Sequence, residues 1–403
     1  MLSSFLTRIR LAYRARRAER LMAALSTADA AALSTQASPQ RARVLVVRND
    51  SIGDYLLYRP WLRQLSGVLR ARGQRLTLLA NRVWAPLAQA WDGEWCEEII
   101  AVDFGAFTKD LSYRSQLVQK LGEKGFGEVI YPLHVREPTV ENFIRFLQAP
   151  VRVASEGAHQ VGEWLSLLNA NYSHLLPSTR AVLFEYDRNR EFFENWQQLA
   201  AGPSVPPATI EIAPLALPPA VHEAARQLAD TTAPYLVLFP GASARQKRWP
   251  PAAFAKLAQQ LHQHYGTHYR LVIAGSAADD KLAQQLLRAA GPTVPLENQC
   301  GKTDLPGLAA LLAAAQLVIS NDTVAAHLAV QAGTPCLVLL MGENYGKFFP
   351  YPPALLRAPC QCLFPPSQEE RFARGEFSPP PRDPLIDKIP VERVLLAAQQ
   401  LLP

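Results

Sequence analysis

Between Arg43 and Leu340, short continuous apolar runs alternate with segments whose apolar residues recur every three or four positions. In the first half the strand-like runs are Val44–Arg48, Leu76–Ala80, Glu98–Val102, Glu128–Leu133 and Val151–Ala154. In the second half they are Tyr235–Phe239, Tyr269–Ala274, Val294–Leu296, Leu317–Ser320 and Cys336–Leu340. A strand that is apolar at successive positions is covered on both faces, so the pattern predicts parallel sheets in an α/β fold. A polar and then proline-rich passage from Asp187 to Pro234 divides the halves. The expectation is therefore two Rossmann-like, doubly wound domains facing each other across a cleft.

The predicted organisation is an N-terminal arm over 1–40, a first domain over 41–190, a linker over 191–234 and a second domain over 235–390. A terminal helix over 391–403 is free to pack back on the first domain. The proline-dense stretch Phe349–Pro390 reads as an irregular surface excursion.

Composition adds little to this picture. Of 403 residues, 49% are hydrophobic and 19% charged, enough apolar material for two ordinary cores and too much for disorder. Five irregularly spaced cysteines do not make a secreted disulfide framework. The net charge of +6 is concentrated: residues 1–20 hold six arginines against Glu19 and so carry +5 of it. The body is electrically ordinary and has no nucleic-acid-binding motif, so no nucleic-acid partner is expected.

In the arm, Leu2, Phe5, Leu6, Ile9, Tyr13, Leu21 and Met22 recur at roughly helical spacing among the arginines, which predicts a basic amphipathic helix. The arginines exclude a signal peptide and a membrane span. Two readings stand: a solvated leader, or an in-plane anchor on an anionic membrane surface, where each Arg contributes about 1 kcal/mol.

Three segments carry candidate chemistry. In RVLVVRNDSIGDYLLYRP, residues 43–60, a buried strand ends at Arg48 and a polar loop with Ser51 and Gly53 precedes a helix. Ligands of open parallel sheets bind at the C-terminal ends of strands. Asp54 there is either a general base or a helix N-terminal carboxylate favoured by the dipole. In YLVLFPGASARQKRWPPAAF, residues 235–254, a strand leads into a loop holding Ser243, Arg245, Lys247 and Arg248. This is an anion site or a solvated basic loop. It is neither a Walker loop nor a nucleophile elbow. In SNDTVAAHLAVQAGTP, residues 320–335, Asp322 and Thr323 open a helix whose first N–H groups, at Val324, Ala325 and Ala326, favour phosphate oxygens. His327 on its first turns reads as a hydrogen-bonded structural residue or a catalyst.

Other chemistries fall away. The glycines of Gly122–Gly127 precede a strand instead of following one, so they are no dinucleotide fingerprint. There is no HExxH, CxxC or DxD, and Cys360-Gln361-Cys362 lacks further ligands nearby, so no metal is expected.

Together, RNDSIGD, FPGASARQKRWPPAAFAKLA and SNDTVAAHLAVQAGTPCLVLL resemble the three signature blocks of glycosyltransferase family 9, the ADP-heptose:lipopolysaccharide heptosyltransferases. The resemblance implies a GT-B fold and an inverting transfer that needs no metal or cofactor. The donor would be a nucleotide-diphosphate sugar, with ADP-heptose expected, and the acceptor a lipopolysaccharide core or related glycolipid. It makes Asp54 the general base, with Ser51 and Gly53 on the acceptor side. It makes Lys247 the group that neutralises the departing diphosphate, flanked by Ser243 and Arg245. Donor contacts would come from Asp322, Thr323, Val324, Ala325, Ala326 and His327, with Gly301, Lys302 and Thr303 at the nucleobase. The enzyme would be cytoplasmic and peripheral on the inner membrane.

Two departures from the family pattern are visible: Val324 stands where glycine is common, and MGENYGKFFPY, residues 341–351, replaces the usual Phe-Gly-Pro-Thr. They leave open another sugar nucleotide, a protein or polysaccharide acceptor, or a sugar-nucleotide-binding protein without turnover.

Overall fold

The computed structural model describes residues 2–158, 168–201, 215–377 and 386–402. The chain divides into two compact units, one comprising residues 1–181 and 186–208, the other 182–185 and 209–403.

The first unit is built on six parallel strands: β1 (Gln40–Arg48), β2 (Arg75–Asn81), β3 (Glu98–Val102), β4 (Phe126–Tyr131), β5 (Val151–Ser155) and β6 (His174–Leu176). Their spatial order is β3-β2-β1-β4-β5-β6. The second unit repeats the plan with β7 (Tyr235–Phe239), β8 (Arg270–Ile273), β9 (Leu296–Asn298), β10 (Leu317–Asn321), β11 (Cys336–Leu339) and β12 (Cys360–Leu363), in the order β12-β11-β10-β7-β8-β9. Each sheet reverses direction of winding at one place, between β1 and β4 and between β7 and β10. Such switch points open a crevice at the strands' C-terminal ends.

The central strands are buried because both faces carry helices. Val44 to Val47 and Leu236 to Leu238 are all inaccessible to solvent. Helix Ile52–Ala71 turns Leu56, Leu57, Trp61 and Leu65 inward, and helix Pro251–Tyr265 does so with Phe254, Leu257 and Leu261.

Four expectations need correction. Residues 1–40 are not an arm throughout: one helix runs from Leu2 to Ala32, and its second half is part of the first unit. Leu25, Asp29 and Leu33, spaced by four, are buried, and Asp29 pairs with buried Arg114 at 2.6 Å. Asn142 Nδ2 also donates to Asp29 at 2.6 Å. A buried acid in the stripe hid it from a hydrophobic reading. The amphipathic expectation concerns side chains that, up to residue 15, lie outside the described residues.

The linker predicted over 191–234 is largely structured. Residues up to Ala201 continue a helix whose Trp196 is buried and donates to Glu128 at 2.9 Å. Pro219–Thr231 forms another helix, which lies against helix Leu305–Ala313.

The stretch 349–390 is not wholly irregular, since it contains β12 and helix Pro366–Ala373. The strand extends the sheet edge with Cys336 beside Cys360. Finally, the terminal helix Val391–Leu401 packs within the second unit: Val394, Ala397 and Ala398 join the core that contains Trp249 and Phe254.

Candidate functional site

In the first unit the polar loop after β1 sits at the switch point. Asn81 Nδ2 donates to the carbonyls of Asn49 and Asp50 at 3.2 and 3.0 Å, and Trp84 Nε1 donates to the Asp50 carbonyl at 3.0 Å. Tyr131 at the end of β4 donates its hydroxyl to Asn49 Oδ1 at 2.9 Å, and Asn49 Nδ2 donates to Glu137 at 2.8 Å. The loop's backbone is thus pinned from the ends of β2 and β4.

Asp54 lies in the first turn of helix Ile52–Ala71, half-buried. Ser51, the N-cap residue, donates its hydroxyl and its N–H to one oxygen of Asp54, Oδ2, the N–H at 3.3 Å. The other oxygen has no protein partner among the described residues. Gly53 is the residue before it in the same turn.

Beneath this carboxylate is a second one that the sequence reading passed over. Asp50 pairs with buried Arg48, whose guanidinium also donates to Asn189 at 2.9 Å and stacks 3.9 Å from the Tyr58 ring. Asp50 Oδ1 is buried with no hydrogen-bond partner. Burial pushes the Asp50 carboxyl up to about 7; the Arg48 charge opposes the shift and the Asp54 charge adds to it.

In the second unit, the loop after β7 and the turn after β10 meet at the other switch point. Asn321, the last residue of β10 and inaccessible to solvent, joins them. Its Oδ1 accepts the Trp249 N–H at 3.0 Å, and its Nδ2 donates to the carbonyls of Pro240 and Gly241 at 2.9 and 3.3 Å. Nothing in the sequence pattern singles out Asn321 for this role.

With the loop so held, Lys247 Nζ lies 3.1 Å from Asp322 Oδ2. These two predicted residues are brought together. Ser243 and Arg245 are exposed on the same loop, and the Arg245 guanidinium has no protein partner among the described residues. A small cavity against the pair is lined by Met341, Glu343, Asn344 and Ile386, so residues of the divergent 341–351 segment adjoin it.

Helix Val324–Ala332 starts beside Asp322. Thr323 caps it, accepting the Ala325 N–H at 3.3 Å, with Ser320 Oγ 3.0 Å from the Thr323 hydroxyl. Val324 is half-exposed at the first helical position, and Ala325 and Ala326 are buried. The N–H groups of Val324 and Ala326 are among those an α-helix leaves without an intrahelical acceptor. His327, by contrast, is buried, with Nδ1 2.7 Å from the Tyr351 hydroxyl and Phe349 4.8 Å away ring to ring. Of its two readings, the hydrogen-bonded structural one describes its surroundings.

Gly301 lies on the loop after β9 at φ +72°, a conformation that favours glycine. Its N–H donates to the Gly275 carbonyl at 2.9 Å. Lys302 and Thr303 follow, both exposed, and no hydrogen bond or ion pair among the described residues links them to Lys247 or Asp322. A further residue missed by sequence is Asp279. Its carboxylate holds the Ser276 N–H at 2.9 Å and lies so close to Gly241 that a Cβ there would come within 2.6 Å of it. A side chain at 241 would therefore have to displace the Asp279 carboxylate. Among the described residues no group of three or more His, Cys, Asp or Glu is arranged to hold a metal ion.

A family model, glycosyltransferase family 9 (heptosyltransferase), matches residues 137–356. Lipopolysaccharide heptosyltransferase 1 of Pseudomonas aeruginosa is 34% identical over 158 residues, 36% of this chain and 41% of that protein. The matched stretch thus spans less than half of that relative's length. Among solved structures, the glycosyl transferase family 9 protein from Veillonella parvula superposes with a TM-score of 0.64 at 20% identity, over 91% of this chain and 99% of that one. The E. coli heptosyltransferase WaaC, solved with ADP, superposes with a TM-score of 0.60 at 18% identity, over 89% of this chain and 99% of that one. These superpositions show the shared two-domain α/β fold of the GT-B type.

Proposed function

The chain belongs to glycosyltransferase family 9, and on that premise we propose that it transfers heptose from ADP-heptose to a lipopolysaccharide core or related surface glycolipid. The observation that carries the reading is the group of anion-binding elements at the second unit's switch point. Lys247 is fixed against Asp322, Ser243 and Arg245 stand exposed on the same loop, and a Thr323-capped helix start adjoins them. That set suits the diphosphate of a sugar nucleotide.

In this reading Lys247 and the helix N–H groups stabilise charge on the departing diphosphate. Positive charge from the protein takes the place of a metal, so transfer should persist in EDTA. Asp54 is the general base. One of its oxygens is held by Ser51 and the other is open to accept the acceptor hydroxyl's proton. Direct attack at the anomeric carbon, opposite the leaving group, inverts its configuration. Such a base contributes typically about 10²–10⁴-fold.

The same reading puts the enzyme at the cytoplasmic face of a membrane that carries its acceptor. The arginines of residues 8–20 supply the attraction to an anionic surface. No helix among the described residues is long and apolar enough to cross a membrane.

The test is a thermal-shift panel of the purified protein against ADP, GDP, UDP, CMP and NAD. At 100 times Kd a ligand adds roughly 2.7 kcal/mol, a shift of several degrees. Selective stabilisation by ADP supports the reading. A response to GDP or UDP alone replaces the donor, and no response to any diphosphate leaves a sugar-nucleotide enzyme without support.

A further inference from the structure

The first unit has a polar cavity at the opposite end of its strands from Asp54. It is lined by Met22, Ser26, Asn142, Arg145, Arg152 and Asn171, among others. Arg152 is the second residue of β5 and Asn171 precedes β6, so both lie where these parallel strands begin. Asp54 follows the place where β1 ends. The cavity therefore cannot be part of the switch-point site.

Its chemistry is one-sided. Among the described residues none that lines it is acidic. Arg145 is exposed, with its guanidinium carbon 4.8 Å from the Phe146 ring and no hydrogen bond or ion pair to any described residue. Arg152 spends Nε on the Asn171 carbonyl at 2.7 Å and Nη1 on the Ala149 carbonyl at 2.9 Å. Its Nη2 remains without a protein partner among the described residues. Asn171 is 8% exposed, yet its side-chain amide makes no hydrogen bond to any described residue. The amide borders the cavity beside two guanidiniums that no carboxylate of a described residue neutralises.

The other polar groups are already satisfied. Ser26 donates to Asn142 at 3.1 Å, and Asn142 donates to Asp29 at 2.6 Å, an acid itself neutralised by Arg114. On the helix that forms one wall, Arg16, Arg17 and Arg20 outnumber Glu19 in the turns above Met22.

We infer that this cavity is a phosphate-binding site formed by Arg145, Arg152 Nη2 and the Asn171 amide, taking the phosphate of an anionic lipid headgroup or of a free phosphate compound. Two guanidiniums and a neutral donor match the oxygens of a phosphate, and with no opposing carboxylate among the described residues their charge is left for the ligand. The inference does not rest on the transfer reaction, and it stands or falls apart from the donor assignment.

The experiment uses the full chain with two probes. One is co-sedimentation with phosphatidylcholine vesicles containing phosphatidylglycerol, and the other is ³¹P line broadening of inorganic phosphate without vesicles. Arg145→Gln and Asn171→Leu are compared with Arg288→Gln, which removes the same charge from an exposed helix position in the second unit. Arg145 carries no structural hydrogen bond, so its variant keeps the fold. The expected result is a threefold to tenfold loss of vesicle partitioning in both cavity variants and little change in Arg288→Gln. Loss of the inorganic-phosphate signal in the cavity variants, with vesicle binding intact, retains the site and assigns it to soluble phosphate. Equal behaviour of all three variants in both measurements overturns it.

Discussion

Lys247 Nζ and Asp322 Oδ2 stand 3.1 Å apart, an ion pair between a loop after β7 and the residue that follows β10. The pair is partly solvated, with the two side chains 19% and 14% exposed, so it contributes under about 1 kcal/mol to stability. Its importance is positional: it fixes an ammonium group at the switch point. Lys247→Ala should weaken ADP binding by about tenfold while shifting Tm little. Isothermal titration with ADP, beside a melting curve, checks both halves. Unchanged ADP affinity would remove Lys247 from the diphosphate site.

The loop that carries Lys247 depends on Asn321. Replacing it with Ala strips partners from the Trp249 N–H and from the Pro240 and Gly241 carbonyls in a buried setting. The expected cost is about 3 kcal/mol, or roughly 6–12 °C in the melting of a unit this size. ADP affinity should fall in parallel. A variant that melts like the wild type would mean that the loop is held by other contacts.

Asp50 makes stability depend on pH in an unusual direction for a carboxylate. Its folded pKa is raised from the ordinary 3.8 to about 7, so its favourable contribution is complete below pH 4 and is lost as pH rises through about 7. The wild type should lose up to about 1.4 kcal/mol per pH unit from this group within that window. Asp50→Asn should flatten that part of the profile. Urea unfolding of both proteins at pH 5 and pH 8 measures the difference, and parallel profiles would contradict the assignment.

Asp29 joins the N-terminal helix to the first unit. Asp29→Ala leaves Arg114 as a buried charge without its counter-ion, at a cost of about 3–5 kcal/mol. The helix should then become a trypsin target at Arg16, Arg17 and Arg20, and limited proteolysis followed by mass spectrometry would detect it. Cleavage no faster than in the wild type would show that Leu25 and Leu33 suffice to hold the helix.

Much of this architecture was legible from the chain. Tyr235–Phe239 was readable to the residue because a central parallel strand is an uninterrupted apolar run between polar loops. The start of helix Val324–Ala332 was readable from the switch between an apolar strand and the polar residues Asp322 and Thr323, although which of them caps it was not. Two of the four edge strands were not legible: β6 has three residues and β12 is Cys-Gln-Cys-Leu inside a proline-rich stretch, too short and too mixed to carry a pattern, whereas the edge strand Glu98–Val102 was still marked by its Ile-Ile-Ala-Val run. Also hidden were the roles of Asn321, Asp279, Asp29 and Asp50, since a buried polar residue is identified by its partners, which lie far away in sequence. The block containing Asp54 lies before residue 137, where the family match begins, so its assignment rests on the resemblance of RNDSIGD and on the geometry around Ser51.

The most direct test of the account is a transfer assay with ADP-heptose and a lipopolysaccharide core acceptor, read by mass spectrometry and run on wild type and Asp54→Asn. The account predicts one added heptose with the wild type and a loss of about 10²–10⁴-fold in rate with Asp54→Asn, while ADP affinity stays unchanged. Transfer at the wild-type rate by Asp54→Asn would contradict the mechanism. No heptose added by a wild type that binds ADP would contradict the proposed reaction.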